Sequence, residues 1–216
     1  MQVAIIGAGN VGTALATSFT RAGHDVTIAS RDAADAAAAS AASGARIATS
    51  NTHAVTGAEV IVLAVPADSV PAIAAEIGAV AAGVPIVDVT NRIAFGADGP
   101  DIDTTSSNAE VIAALFPASP VVKAFNTLFA SRQLDPIVDG VRLDSFVAGD
   151  DAAAKATVLE LARSIGLDPV DVGPLVRARQ LEGLAFLNMT LNIANGGAWQ
   201  SGWKLVAAPR PAKIAA

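Results

Sequence analysis

The run Val3-Ala4-Ile5-Ile6-Gly7-Ala8-Gly9-Asn10-Val11-Gly12 decides how the rest of the chain is read. Four apolar residues without a charge among them are the mark of a buried parallel strand. The three glycines that follow let the backbone turn tightly and lie close to a bound pyrophosphate. Beyond them Val11, Leu15 and Phe19 recur at helical spacing up to a stop at Gly23. Strand, glycine turn and helix N-terminus together aim backbone N–H groups and the positive end of a helix dipole at an anion. With that context on both sides the motif reads as a dinucleotide site, formed by Gly7, Gly9, Asn10, Val11 and Gly12.

The second strand, His24 to Ala29, ends on Ser30-Arg31. An acid at this strand tip accepts from the ribose 2′-OH of NAD, whereas an arginine accommodates a 2′-phosphate. A hydroxyl beside a permanent cation therefore favours NADP(H), and Asp32 is assigned to the first turn of the next helix, where the dipole favours a carboxylate. The run Glu59 to Pro66 is the strongest strand of the chain and should lie centrally in the sheet. Ligands of doubly wound sheets sit at the carboxyl ends of strands, which places Val65 and Pro66 in the cofactor groove. Asn91, at the exit of the strand Pro85 to Asn91, can meet the carboxamide or ribose of the nicotinamide half; its spacing suits a turn former equally well.

Residues Ala94 to Thr105, rich in Gly, Asp and Pro, read as a mobile loop. Ser107 and Glu110 have capping-box spacing ahead of a helix. Pro120 to Thr127 is the next strand with a polar exit, and its Lys123 is expected to face solvent, an anion partner being the alternative. From residue 128 the pattern changes to a strand over Leu143–Gly149, a helix over Asp150–Ile165, a short strand over Asp168–Val172 and a long segment from Gly173 to about Asn195. That last segment is apolar on more than one face, so it calls for cover from its own domain and from a second subunit. The fold expected is α/β, a Rossmann-type doubly wound parallel sheet over residues 1–127. A small C-terminal α/β annex over 128–216, ending in a long helix, is expected to contribute to the acceptor site and a dimer contact.

The composition narrows the chemistry. A chain of 216 residues suits one large domain with an annex, and no apolar run reaches the roughly 18 residues of a membrane span. The opening tetrad runs into glycines without a basic region before it, so it reads as a strand and not a signal peptide, and the protein is expected to be cytoplasmic. Zero cysteines exclude disulfides and thiolate chemistry, and a formal charge of −6 argues against nucleic-acid binding. No metal cluster is legible. His24 and His53 fall away from the expected switch point, and there is no tyrosine to act as an acid. A well-marked nucleotide site beside so thin an acid–base inventory fits hydride exchange between two bound cofactors, where the protein supplies position.

The glycine motif, Ser30-Arg31, Leu63-Ala64-Val65-Pro66, Lys123-Ala124-Phe125-Asn126-Thr127 and Gly173-Pro174-Leu175 with Arg179 and Glu182 beyond it resemble the family of NADPH-dependent reductases of the 5-deazaflavin coenzyme F-420 (F420) over nearly the whole chain. The cytosolic domain of the membrane-bound metalloreductases, in which NADPH reduces a flavin, is also similar. The resemblance implies a homodimer that exchanges hydride between NADP(H) and a deazaflavin or flavin. The chain departs from the family pattern at Asp35, where a lysine is usual, and at Phe125-Asn126, where a histidine is usual. The acceptor site is expected over the nicotinamide, with Phe125, Leu128 and Leu175 as apolar walls and Asn91 and Asn126 fixing orientation. Two other readings stand beside this one: an imine- or carbonyl-type reductase, and a sensor that binds NADPH without turnover.

Overall fold

The computed structural model describes residues 1–97 and 99–206. The first half runs β1 (Gln2–Ile6), α1 (Asn10–Arg21), β2 (Asp25–Ala29), α2 (Ala33–Ser43), β3 (Arg46–Ile47), α3 (Asn51–Val55), β4 (Val60–Leu63), α4 (Val70–Ile77) and β5 (Ile86–Asp88). A hairpin of β6 (Ile93–Gly96) and β7 (Gly99–Ile102) follows, then α5 (Asn108–Leu115) and β8 (Val121–Lys123). The remainder comprises α6 (Ala130–Leu134), a second hairpin of β9 (Ile137–Val138) and β10 (Val141–Arg142), β11 (Asp144–Gly149), α7 (Ala152–Ser164), β12 (Asp168–Gly173) and α8 (Ala178–Ala194).

Eight strands form one sheet in the order β12-β11-β8-β5-β4-β1-β2-β3. From β3 to β8 every pair is parallel, as helical crossovers require. β11 then adds antiparallel to β8, with Ala148 opposite Lys123, and β12 runs parallel to β11. The C-terminal strands thus extend the Rossmann-type sheet at its far edge. β1 alternates faces: Val3 and Ile5 join one core with Leu15, Phe19, Val62 and Val158, while Ala4 and Ile6 join the other with Leu63, Ile73, Ile77 and Phe116. Two buried faces explain why the strands read as continuous apolar runs.

Local signals set the helix ends. Asp32 caps α2, accepting from Ala34 N at 2.7 Å and Asp35 N at 3.3 Å, so its carboxylate is occupied one position before the helix itself. Ser107 and Glu110 form the expected capping box of α5. The loop expected over 94–105 is instead largely the β6–β7 hairpin, in register from Ile93 opposite Ile102 to Gly96 opposite Gly99. Glycines that signal a loop serve equally as the turn of a hairpin. No helix among the described residues is long and apolar enough to cross a membrane.

Candidate functional site

The sheet order reverses direction between β1 and β4, and a groove of about 580 Å³ opens there at the carboxyl ends of the strands. Gly7, Gly9, Ser30, Arg31, Val65 and Pro66 all line it, so the structure brings together six of the residues expected at the nucleotide. The glycines have different duties. A Cβ on Gly7 would stand 2.2 Å from Ala64 O, and one on Gly12 would stand 2.0 Å from Gly7 O, so both are required by the protein's own packing. A Cβ on Gly9 would meet nothing within 4 Å. That open space at the N-terminus of α1, where no acidic residue occupies the first turn, fits a pyrophosphate. Asp35 lines the same groove beside Arg31.

Asn10 and Val11, next to Gly9 in the chain, face a second cleft of about 410 Å³ together with Asn91, Phe125, Asn126 and Leu128. Phe125 holds φ at +61°, a conformation that costs a non-glycine residue about 1–2 kcal/mol. Its ring is fully buried and packs edge-on against Phe19, at 5.9 Å between centroids. This strained step lies just before Asn126, whose Nδ2 donates to Asn91 Oδ1 at 2.8 Å and to Leu181 O at 3.0 Å. Asn126 Oδ1, Thr127 Oγ1 and Gln133 Oε1 are buried without a hydrogen-bond partner among the described residues, and all three residues line this cleft. Buried polar atoms without partners are costly unless a ligand or water meets them. The cleft is lined by no Asp, Glu, Lys, Arg, His or Tyr among the described residues.

Beneath the cleft lies a buried charge cluster. Lys123 is fully buried, contrary to the expectation of a solvent-facing lysine, because β11 covers the edge of β8 and α8 covers its face. Its Nζ donates to Asp88 Oδ2 and Glu182 Oε1, each at 2.8 Å, and to Thr90 O. Burial raises the Glu182 carboxyl above its ordinary range, opposed by the attraction of Lys123. Closer to the surface, two hydrogen bonds from the Arg179 guanidinium, at 2.8 and 2.6 Å, hold the Glu110 carboxyl below its usual value. His24 lines neither cavity, its ring bonding Ser164 Oγ at 2.8 Å.

Of the expected wall residues, Leu175 is not brought to the cleft; it is buried in the core with Ala109, Ile112 and Phe116, and its N–H bonds to Asp150. Its place is taken by residues the sequence reading missed. Phe129, Ala185, Asn188 and Trp199 form the outer wall, with Trp199 edge-on to Phe129 at 5.3 Å and its carbonyl accepting from Ser131 Oγ at 2.5 Å. The signal available for Trp199 was Gly196-Gly197, which adopt φ of +89° and +69° and turn the chain back over α6.

Residues 2–92 match the family described as NADP oxidoreductase, coenzyme F420-dependent. The F420-dependent NADP reductase of Methanothermobacter marburgensis is 33% identical over 212 residues, covering 90% of this chain and 94% of that protein. The metalloreductase STEAP3 of Rattus norvegicus is 35% identical over 184 residues, covering 85% of this chain; the chain spans only 36% of that protein's length. A solved structure from Arthrobacter sp. FB24, provisionally described as an F420-dependent NADP reductase, superposes with a TM-score of 0.82 at 33% identity, covering 93% of this chain and 97% of that one.

Proposed function

This chain belongs to the coenzyme F420-dependent NADP oxidoreductase family, and from that premise we propose that it passes hydride between NADP(H) and a deazaflavin of the F420 type, or a flavin, held side by side. The observation that carries the reading is the cleft that continues the nucleotide groove at Asn10, with three buried polar atoms unpartnered and no titratable side chain in its lining among the described residues. An imine or carbonyl reductase needs a proton donor at the reacting oxygen or nitrogen, and the cleft offers none. When both cofactors are bound they supply the hydride chemistry themselves. The chain's own residues bind and orient: Gly9 and the N-terminus of α1 receive the pyrophosphate, Ser30 and Arg31 meet the 2′-phosphate, and Val65 and Pro66 flank the dinucleotide. Asn91 and Asn126 fix the nicotinamide and acceptor rings, and the walls formed by Phe129 and Trp199 exclude water.

In this reading residues 1–127 carry the nucleotide and residues 128–206 close the acceptor side. The same reading includes a homodimer through α8, because Leu187, Leu191 and Ile193 on its outer side are each about half exposed while Asn188 and Asn192 are buried beneath it. A chain that draws on NADPH also suits the cytoplasm. Mixing the protein with NADPH and oxidised deazaflavin, and separately with flavin mononucleotide, tests the function. Loss of the acceptor's absorbance in step with NADPH oxidation is expected. NADPH binding with no acceptor reduced would favour the sensor instead.

A further inference from the structure

Lys123 and Glu182 line neither the groove nor the cleft, yet both are sealed from solvent. One cation between two carboxylates is a weak source of stability, since apolar replacements of buried ion pairs are often neutral or better. What distinguishes the cluster is where its hydrogen bonds end. Glu182 Oε2 accepts from Arg92 N at 3.0 Å, and Oε1 accepts from Asn108 N at 2.9 Å as well as from Lys123. Asp88 Oδ1 accepts from the backbone N and the hydroxyl of Thr90, at 2.8 and 2.7 Å. Asn91 therefore sits between two residues whose backbone the cluster pins. The carbonyl of Leu181, adjacent to Glu182, holds Asn126 Nδ2.

We propose that Glu182 is a positioning residue of the cleft: by joining the start of α8 to the backbone at Thr90–Arg92 and to Lys123, it holds the Asn91–Asn126 amide pair in place. Its part in turnover rests on the reading of this cleft as the acceptor site. A glutamine at 182 keeps the shape of the side chain but has one oxygen and one NH2, so one of the N–H groups of Arg92 and Asn108 must face a donor. The effect should be local to the strand exits and absent from the nucleotide groove.

The test is Glu182→Gln, read by amide hydrogen exchange, NADPH titration and steady-state kinetics. Exchange over residues 89–92 and 126–128 is expected to speed by about ten-fold or more, the scale of one lost charge-assisted hydrogen bond, with β1 and α1 unchanged. The NADPH dissociation constant should stay at the wild-type value, and kcat for acceptor reduction should fall while KM for NADPH does not move. Unchanged exchange over those two stretches would overturn the proposal, and so would a uniform increase across the chain, which is the mark of a packing residue only. If the single variant does not fold, Glu182→Asp keeps the charge beside Lys123 and Asp88 while shortening the reach to Arg92 N and Asn108 N, and the same localised exchange is required of it. Localised exchange in a protein whose wild type reduces no deazaflavin or flavin would support the positioning role and refute the acceptor reading.

Discussion

Gly9 and Gly12 lie in one turn and are needed for different reasons. Gly9→Ala adds a methyl to empty space, so nucleotide affinity should fall with the melting temperature unchanged. Gly12→Ala drives a methyl into Gly7 O and should destabilise the fold by about 1–3 kcal/mol or more. Calorimetry and thermal melts on the two variants check the contrast. At the same groove, Arg31→Ala should remove most of a preference for NADPH over NADH, on the order of ten-fold for one charge-assisted contact. Asp35→Lys should strengthen that preference, because Asp35 lines the same groove as Arg31, the residue proposed to meet the 2′-phosphate; nucleotide titrations measure both. Gly9, Gly12 and Arg31 were legible in the sequence because spacing ties them to a strand tip or a glycine turn; Asp35 stood out only through the resemblance, as a departure from the family pattern. Lys123 was not, since its surroundings come from β11 and α8, strands and helices distant in the chain.

At the scale of elements, α5 and α8 are joined by Arg179 and Glu110, and the sign of the pH effect follows from Glu110. Its carboxyl titrates below the ordinary range, so the stabilisation is complete above that range and is lost as the pH falls through the lowered value. The gap in melting temperature between wild type and Arg179→Gln should therefore narrow from about pH 7 to about pH 3. An unchanged gap would mean that the pair contributes no charge-dependent stability. Glu182 acts in the opposite sense: burial raises its value, so the cost of carrying its charge in the interior grows as the pH rises through that value, while the ionised form is the one that accepts from Lys123, Arg92 N and Asn108 N. The capping box was legible because a helix start is written in four consecutive residues. The β6–β7 hairpin was not, because its glycines and Pro100 carry the signal of a loop and of a tight turn alike.

Across the whole molecule, α8 changes character along its length: its first half buries Leu181 and Ala185 beside Glu182, and its second half turns Asn188 and Asn192 inward and Leu187, Leu191 and Ile193 outward. Its several apolar faces were visible in the sequence; which side the core would take was not, because the inward polar residues answer to partners on other elements. If the outer face packs on a second copy, sedimentation should show a dimer that Leu191→Glu converts to monomer, and a monomeric wild type would refute the proposed dimer. The outer wall at Trp199 escaped the sequence reading for a related reason: only the folded chain brings residues 198–200 back over α6. In the proposed reaction the cleft holds a ring against the nicotinamide so that hydride moves directly, without a protein acid or base. NADPH carrying deuterium at both C4 positions tests it, with the reduced deazaflavin examined by mass spectrometry. One deuterium per molecule retained at carbon is the result predicted; a product without deuterium, its hydrogen drawn from solvent, would contradict direct transfer in this cleft.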